Sequence, residues 1–360
     1  MRQVDVLVCG AGPAGSAAAI AAARSGARVL LAERAEFPRH KACGCCLSEQ
    51  GTAVLRELGA AHSVHDGVPL RNVRVLADGR SLEITREAGV AIGRDALDTR
   101  LARIAADMGA EVMFGTAARA DANGTWHVGT ERVAAGCAVV ADGLAGRSID
   151  ALPGYGWQVR TGSRMGFGAV LPAGSVNCPR GEIRMHVTHD GYVGLVELPD
   201  GSVDVAAAAA PAAVRSAGGP AEYARRALGA DVIDPARLAS ADWRGAPALT
   251  RRRARVAGPG VLVAGDAAGY VEPFTGEGMG WAIASGAAAG GLAADVARGR
   301  AACDRWPRMH ASIMRGSRLR CAAIALAVRS PRTVRAAIAV GRLAPGIARR
   351  IASAVGSARR

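Results

Sequence analysis

The sequence predicts an α/β protein in which an antiparallel sheet is inserted into a parallel sheet flanked by helices. Three observations predict this class. Buried-strand runs of β-branched and apolar residues alternate with alanine-rich helical stretches. Between these runs, other segments alternate in polarity and break at Asp-Gly pairs, which are strong hairpin signals. After residue 300 the pattern is helical and interrupted by prolines, so we expect a C-terminal helical segment.

The parallel part opens with a βαβ unit. Val4–Val8 is typical of a buried strand, Ser16–Arg24 of an alanine-rich helix, and Arg28–Glu33 of a second buried strand. Later elements have the same character: a helix at Asp95–Met108, strands at Glu111–Phe114, Cys137–Ala141 and Gly260–Ala264, and a helix at Gly276–Ala297.

The antiparallel part is predicted from two segments, Val73–Arg86 and Arg164–Ala209, which contain the Asp-Gly pairs. These patterns divide the chain into three regions. The divisions are a discontinuous α/β domain at 1–70, 90–155 and 250–300, an inserted sheet at 71–89 and 156–249, and a basic helical segment at 301–360.

Composition excludes several classes of protein. Half of the 360 residues are hydrophobic and 21% are charged, so a large core can form and wholesale disorder is excluded. No apolar run reaches the roughly 18–20 residues of a membrane-spanning helix, and the N-terminus shows no signal-peptide pattern. The eight cysteines are spread through the chain, so we expect reduced thiols and a cytoplasmic protein.

The positive charge is concentrated at the C-terminal end. The chain carries 45 basic and 31 acidic residues, a net charge of +14. Residues 296–360 contain 15 arginines and one acid, Asp304, and account for the whole excess. Such a segment is compatible with solvated helix faces, or with peripheral contact at the inner face of a membrane. Trp306 is its one aromatic residue, which disfavours nucleic-acid binding.

A glycine-rich stretch, Gly10-Ala11-Gly12-Pro13-Ala14-Gly15, directly follows the first strand and opens the first helix. Glycines at this spacing permit a tight turn, close approach of the backbone to a pyrophosphate, and packing of helix on strand. The phosphate would meet free N–H groups at the positive end of the helix dipole. Glu33 ends the second strand, where a carboxylate binds a ribose diol. The stretch therefore predicts dinucleotide binding.

A second glycine-rich pattern follows the last predicted strand. Gly265-Asp266 ends that strand, and a loop then leads to a helix that starts among glycines. Asp266 can accept hydrogen bonds from a polyol chain. The backbone N–H groups of Gly278 and Met279 can face an electron-poor ring whose reduced form is anionic. A nicotinamide dinucleotide has no ribityl chain, so this pairing favours FAD.

A third pattern is a buried strand that ends in Asp142-Gly143, at the expected carboxyl edge of the sheet. In this order and spacing, the three motifs resemble the FAD-binding fingerprints of the p-hydroxybenzoate-hydroxylase-like flavoproteins (class A flavoprotein monooxygenase superfamily). Arg94-Asp95-Ala96-Leu97-Asp98 resembles the R-x-x-L-D motif of the same group. Phe37-Pro38-Arg39-His40-Lys41-Ala42-Cys43-Gly44 resembles the FPR-x-K-x-CG motif of the geranylgeranyl-reductase-like branch, which includes oxidoreductases of secondary metabolism found beside polyketide synthases.

The resemblance implies a Rossmann-like FAD-binding domain, an inserted antiparallel β-sheet substrate domain whose sheet roofs the substrate pocket, and a C-terminal helical segment. It implies that Lys41, Gly44 and Arg94 lie near the flavin and its phosphates. The expected cofactor-binding residues are Gly10, Gly12, Pro13, Ala14, Gly15, Glu33, Arg34, Lys41, Gly44, Arg94, Asp142, Gly143, Gly265, Asp266, Pro273, Gly276, Gly278 and Met279.

Three residues are candidates for catalysis. Lys41 is the one lysine beside 44 arginines, which suggests a role that a guanidinium cannot fill. Cys43 begins a Cys-Gly-Cys-Cys run in which Lys41 and Arg39 could lower its pKa, although small residues that fit a tight loop are the favoured explanation of the run. The run lacks a second ligand pair at metal-binding spacing, so no metal is expected. Tyr192 is what remains here of the Tyr-x-Trp-x-Phe-Pro stretch of the reductases.

The resemblance implies an FAD-dependent oxidoreductase and leaves the reaction open. The first expectation is a monooxygenase that hydroxylates an aromatic or polyketide-like hydrophobic molecule with NAD(P)H and oxygen. The alternative is reduction of carbon–carbon double bonds in an isoprenoid or lipid, with halogenation disfavoured by a missing motif. A separate flavin reductase could also supply electrons, because no second G-x-G-x-x-G motif is present. A non-enzymatic alternative is a basic flavin-containing protein that binds a membrane or RNA.

Overall fold

The computed structural model describes residues 1–85, 89–229, 234–272 and 276–315, together with isolated helical positions at 333, 335, 336 and 339. The β-strands, in chain order, are β1 (Arg2–Cys9), β2 (Val29–Ala32), β3 (Cys46–Leu47), β4 (Val68–Pro69), β5 (Asn72–Ala77), β6 (Arg80–Thr85), β7 (Val90–Ala91), β8 (Glu111–Met113), β9 (Ala118–Ala120), β10 (Trp126–Val128), β11 (Glu131–Val140), β12 (Trp157–Val159), β13 (Met165–Leu171), β14 (Glu182–Val187), β15 (Gly191–Glu197), β16 (Val203–Ala209), β17 (Arg244–Ala248), β18 (Arg251–Arg253), β19 (Ala257–Gly258), β20 (Val261–Val263) and β21 (Gly269–Tyr270).

The α-helices are α1 (Pro13–Arg24), α2 (Glu49–Glu57), α3 (Arg94–Asp107), α4 (Pro211–Ala217), α5 (Pro220–Leu228), α6 (Pro235–Ser240) and α7 (Gly278–Ala297). Short 3-10 helices lie at Ala61–Val64, Gly265–Ala267 and Cys303–Arg305, and residues 306–315 are helical. None of the described helices combines the length and the hydropathy that crossing a bilayer requires. Most of the basic segment at 301–360 lies outside the described residues.

The first sheet is parallel at its centre. Its strand order is β19-β20-β11-β1-β2-β8, and β1 runs parallel to both β11 and β2. Val6, Leu7 and Val8 of β1 are fully buried, because α1 and α7 cover one face of the sheet and side chains of β9, β10 and the following loops cover the other. Since β1, β2, β11 and β20 end at one edge, the three FAD fingerprints predicted from the sequence follow strands that finish side by side. The predicted Rossmann-like core is confirmed.

The second sheet has the strand order β17-β13-β16-β15-β14-β5-β6 and is antiparallel except for the β14–β5 pair. The Asp78-Gly79 turn closes the β5–β6 hairpin with both residues at positive φ, which is the two-residue hairpin geometry expected of Asp-Gly. One face of this sheet packs on α4 and α5, and the other contributes apolar side chains to a cavity. Both segments that alternate in the sequence lie in this sheet, which confirms the predicted inserted sheet.

Helices α1 and α7 pack with their backbones almost in contact. A Cβ atom at Gly286 would lie 2.0 Å from the carbonyl oxygen of Ala14, and one at Gly290 would lie 2.1 Å from that of Ala18. Only glycine fits at these positions, and this close approach fixes the two glycine-rich motifs relative to each other. Trp306, which is fully buried, extends the contact beyond α7 by donating its indole N–H to the carbonyl oxygen of Val263 at 2.9 Å.

We expect Gly290→Ala to destabilise the fold by about 1–3 kcal/mol, because the new methyl group would overlap the Ala18 carbonyl and force the helices apart. The matched control is Gly291→Ala, the adjacent position on the same helix, where a Cβ atom would meet nothing within 4 Å. Replacing a helical glycine by alanine there should leave stability unchanged or raise it by up to about 1 kcal/mol. Urea unfolding of the two variants measures both effects, and equal midpoints would contradict the prediction.

Candidate active site

One large cavity lies between the carboxyl edge of the parallel sheet and the inner face of the seven-stranded sheet. Its volume is about 1620 Å³. Glu33, Asp142 and Asp266, which follow three different strands, all line it. The motifs from opposite ends of the chain therefore share one groove.

The start of α1 forms the first wall of the groove. Gly10 has a φ of +96°, and a Cβ atom on it would lie 2.8 Å from the carbonyl oxygen of Ala141. Pro13 occupies the first turn of the helix, where its missing N–H is not needed. A Cβ position on Gly12 faces the guanidinium groups of Arg94 and Arg39 at 3.6 and 3.9 Å. The helix dipole and two cations thus point at the same place, which suits a phosphate.

Glu33 joins the end of β2 to this glycine-rich loop. Its carboxylate accepts hydrogen bonds from the backbone N–H groups of Ala11 at 2.9 Å and Ala35 at 3.0 Å. The side chain is almost completely buried, and Arg39 approaches it to 3.7 Å. The carboxylate is therefore held rigidly at the position expected to bind a ribose diol.

Arg94 and Arg39 are fixed by one buried acid. Arg94 opens α3 and donates two hydrogen bonds to Asp98, at 2.9 and 2.8 Å, one helical turn further on. Arg39 lies 3.3 Å from the same carboxylate, whose side chain is 1% exposed. The R-x-x-L-D spacing thus places the cation and its partner on one face of the helix, with Leu97 in the core behind them.

Lys41 lies between the second and third motifs. A Cβ atom on Gly143 would be 3.0 Å from its Nζ. Burial, with added repulsion from Arg94 and Arg39, lowers the pKa of Lys41. Burial also raises the pKa of Asp266 to about 6, against the opposing attraction of Lys41 and Arg94. Arg94 and Arg39 therefore make the surroundings of Lys41 positive, which favours an anionic ligand there.

Asp142 has an unsatisfied oxygen within the same groove. Its Oδ2 accepts a hydrogen bond from the Ser148 N–H at 2.9 Å, whereas its buried Oδ1 has no partner among the described residues. Burial raises the pKa of this carboxyl group. A ligand that offers a hydrogen-bond donor would satisfy the orphaned oxygen.

The first turn of α7 forms the far wall of the groove. Gly276, Gly278 and Met279 line the cavity, and α7 begins at Gly278. The N–H of Gly265, which follows β20, donates to the Ser285 hydroxyl at 3.0 Å, so the Gly265-Asp266 motif is anchored on α7. Pro273, the remaining residue predicted in this loop, lies outside the described residues.

The Cys-Gly-Cys-Cys run lies in the cavity wall, and its thiols are not equivalent. A hydrogen bond from Cys45 lowers the pKa of Cys43 to about 5, and the positive charge of Arg94 contributes. The same hydrogen bond and burial raise the pKa of Cys45 well above its usual value. Cys45 has a φ of +49°, a left-handed conformation that few non-glycine residues adopt. All seven described cysteines have free thiols.

Comparisons with known proteins agree with this geometry. Residues 5–149 match the family model described as FAD dependent oxidoreductase. A menaquinone reductase from Mycolicibacterium smegmatis is 32% identical over 319 residues, covering 79% of this chain and 75% of that protein. The digeranylgeranylglycerophospholipid reductase 2 of Methanosphaera stadtmanae is 28% identical over 344 residues, covering 82% and 79%. This chain belongs to the FAD-dependent oxidoreductases of the geranylgeranyl-reductase-like branch.

This FAD-dependent oxidoreductase is also similar to a solved structure and to a further protein sequence. A flavoprotein/dehydrogenase from Cytophaga hutchinsonii superposes with a TM-score of 0.82 at 21% identity, covering 99% of this chain and 93% of that one, which supports the fold. A protein named as a 2-heptyl-3-hydroxy-4(1H)-quinolone synthase from Rhodococcus erythropolis is 34% identical over 154 residues, covering 40% of each chain.

FAD fits the groove of this oxidoreductase. Arg39 and Arg94 at one end suit its two phosphates, and Glu33 suits its ribose. The unpartnered oxygen of Asp142 can accept a hydrogen bond from a hydroxyl or N–H group of the cofactor. The predicted residues that line the groove are Gly12, Pro13, Ala14, Glu33, Arg34, Lys41, Gly44, Arg94, Asp142, Gly143, Asp266, Gly276, Gly278 and Met279. Gly10, Gly15 and Gly265 lie behind it and shape the backbone. Cys43 and Tyr192 also line the cavity.

Sequence reasoning did not place three residues of the oxidoreductase site among the cofactor-binding or catalytic residues. Arg39 and Cys45 stand inside quoted motifs, but only their contacts with Asp98 and Cys43 reveal what they do. Asp204 is a single carboxylate in the apolar strand β16, and it lines the cavity. A lone acid at an inward position of a buried strand is the signal that could have identified it.

We expect Glu33→Gln to weaken FAD binding on the order of ten- to hundredfold, because the neutral amide loses its charge-assisted hydrogen bonds to the ribose and its attraction to Arg39. Quenching of flavin fluorescence on titrating apoprotein measures the affinity. Glu57→Gln, an exposed position at the end of α2, is the matched control. Equal affinities in the two variants would remove Glu33 from the cofactor site.

Proposed function

We propose that this flavoprotein reduces carbon–carbon double bonds in a long, apolar isoprenoid or lipid substrate. The observation that carries the proposal is the roof of the cavity beyond the cofactor-binding residues. The seven-stranded sheet contributes to it mostly apolar side chains, which are Val73, Val75, Ile84, Ile183, Met185, Tyr192, Val196, Ala206 and Ala208. A surface of this kind binds a hydrocarbon chain and excludes water.

The relatives support a lipophilic substrate. Menaquinone reductase and digeranylgeranylglycerophospholipid reductase both act, by their names, on lipids. This chain departs from the Tyr-x-Trp-x-Phe-Pro stretch of the reductases: Gly194 and Val196 stand where the larger aromatic residues occur. Tyr192, Gly194 and Val196 alternate onto the cavity face of β15. Smaller residues there widen the roof, so we propose a substrate bulkier than a simple polyprenyl chain.

The protein's part in this reaction is binding and charge placement. Bound FAD supplies hydride chemistry at its ring. Lys41, Arg94 and Arg39 neutralise phosphates, and the N–H groups at the start of α7 stabilise negative charge on the ring. The apolar roof keeps water away from the reacting carbons. We propose NAD(P)H, or a separate flavin reductase, as the source of electrons.

Hydroxylation of an aromatic or polyketide-like molecule is the second candidate. Its support is the match to the quinolone synthase, whose name denotes a ring-hydroxylated product. The same water-excluding roof would serve that reaction equally, and both reactions use the same cofactor residues.

The two reactions differ in their need for oxygen. We expect the dithionite-reduced holoenzyme to be reoxidised under argon by a geranylgeranyl lipid that has no quinone ring, with a mass gain of about 2 Da per reduced bond, because reduction adds two hydrogens to a double bond and needs no oxygen. Stopped-flow absorbance and mass spectrometry follow the two events. Reoxidation that needs oxygen, with a product that has gained an oxygen atom, would instead support the monooxygenase.

We further propose that the basic C-terminal segment contacts an anionic membrane surface from which a lipid substrate enters. Its charge supports this, and so does an ion pair of 3.7 Å between Arg335 and Asp78. Asp78 lies at the tip of the hairpin whose strand β5 contributes Val73 and Val75 to the cavity. Arg335 of the segment thus lies beside the hairpin that contributes to the apolar roof.

We expect the full chain to sediment with vesicles that contain phosphatidylglycerol and not with pure phosphatidylcholine vesicles, because clustered arginines attract anionic lipid. Binding should weaken as salt rises. A variant with Arg342, Arg349, Arg350, Arg359 and Arg360 changed to Gln should bind more weakly. Salt-independent sedimentation, or equal binding by the variant, would reject this role.

A further inference from the structure

Asp204 occupies an unusual position in the roof of the cavity. It lies in β16, where it pairs with Val170 on one side and Val196 on the other. The alternation of the strand turns Val203 and Val205 towards α4 and α5, and turns Asp204 towards the cavity. The residue is only 1% exposed. Among the described residues, it is the one acid that the seven-stranded sheet contributes to the cavity lining.

The surroundings of the Asp204 carboxyl group favour its protonated form. Neither of its oxygens has a hydrogen-bond partner of ordinary geometry among the described residues. Burial, and the negative charge of Cys43 nearby, raise its pKa well above the usual value. A buried carboxylate without partners would be very costly, and a neutral carboxylic acid avoids most of that cost.

The hydrogen bonds of the neighbouring thiols affect where the Asp204 O–H group can point. Cys45 has one S–H group and lies between two acceptors, the Cys43 sulfur and the Asp204 carboxyl group. Its hydrogen goes to Cys43, whose thiolate is stabilised by Arg94. While the S–H points to Cys43, the Asp204 O–H is free to point at a cavity ligand or at the Cys45 sulfur; a Cys45 S–H turned to Asp204 lowers the pKa of that carboxyl group, against the larger effect of burial.

The cluster lies beside the part of the groove assigned to the reactive ring. A Cβ atom on Gly276, just before α7, would lie 2.9 Å from the Cβ of Cys46. A Cβ atom on Gly168 of β13 would lie 3.7 Å from the Cα of Ala42. The loop that carries the cysteines is thus held between the start of α7 and the roof, with Asp204 on its roof side.

We propose that Asp204 is the general acid that donates a proton to the substrate. This rests on the proposed reduction of a double bond. One carbon of the bond receives the hydride that the reduced cofactor supplies. At the other carbon the π electrons form a new C–H bond with the proton as the Asp204 O–H bond breaks. The alkane product has gained two hydrogens, and the Asp204 carboxylate regains its proton from solvent through the Cys45 and Cys43 sulfurs.

The test compares Asp204→Asn with Asp190→Asn, an exposed position before β15. Asn keeps the shape and a hydrogen-bond donor but cannot give up a proton. We expect reoxidation of the reduced holoenzyme by the alkene to slow on the order of 100- to 10,000-fold in Asp204→Asn. Reduction of the flavin and FAD affinity should match those of the wild type and Asp190→Asn. Alkene turnover within about threefold of wild type would overturn the assignment.

Infrared difference spectroscopy supplies a readout that does not depend on turnover. The wild-type holoenzyme should show the carbonyl stretch of a protonated carboxylic acid, and Asp204→Asn should lack it. Cys45→Ala should keep the band at a shifted frequency, because the carboxyl group loses its sulfur neighbour. A wild-type protein without the band refutes the proton donor. A band with no reduction of any alkene leaves the proton in place and refutes the proposed reaction instead.

Discussion

The close packing of α1 on α7 is the contact on which the rest of the site depends. The two helices begin at the two glycine-rich motifs, which are separated by more than 250 residues in the chain. Gly286 and Gly290 bring the α7 backbone against the carbonyl groups of Ala14 and Ala18. Any side chain larger than hydrogen there would move the start of α7 away from the start of α1. The distance between the two glycine-rich motifs, and with it the length of the groove that receives FAD, thus depends on glycine at these two positions.

The charged side chains of the groove suit an anionic ligand. Asp98 pairs with both Arg94 and Arg39, and Glu33 also approaches Arg39, at 3.7 Å. Lys41 adds a third cation whose pKa is lowered by burial and by these neighbours. Such mutual repulsion is unfavourable in the apoprotein and is relieved when a diphosphate binds. Lysine suits this place better than arginine, because a compact ammonium group fits beside Gly143.

The roof of the cavity separates this chain from the reductase pattern that it otherwise resembles. Gly194 and Val196 of β15 stand at the positions of large aromatic residues in that pattern, and Asp204 of β16 places one acid among apolar neighbours. A hydrophobic surface that carries one buried acid, facing a flavin, is suited to adding hydrogen to an unpolarised bond. The low-pKa thiol of Cys43 and the neutral thiol of Cys45 form the path by which Asp204 is reprotonated.

Local signals in the sequence determined the fold class and most of the cofactor site. Glycine spacing, strand ends and the Asp78-Gly79 hairpin depend on backbone preferences within a few residues, so they can be recognised without the rest of the molecule. Only the tertiary structure decided the pairing of Arg39 with Asp98, the meeting of Asp204 with Cys45, and the roles of the thiols. Those contacts join residues from 2 to about 160 positions apart, and their protonation depends on burial and on charges from several elements. The sequence identifies the residues, but their reactivity depends on distances that only the folded structure shows.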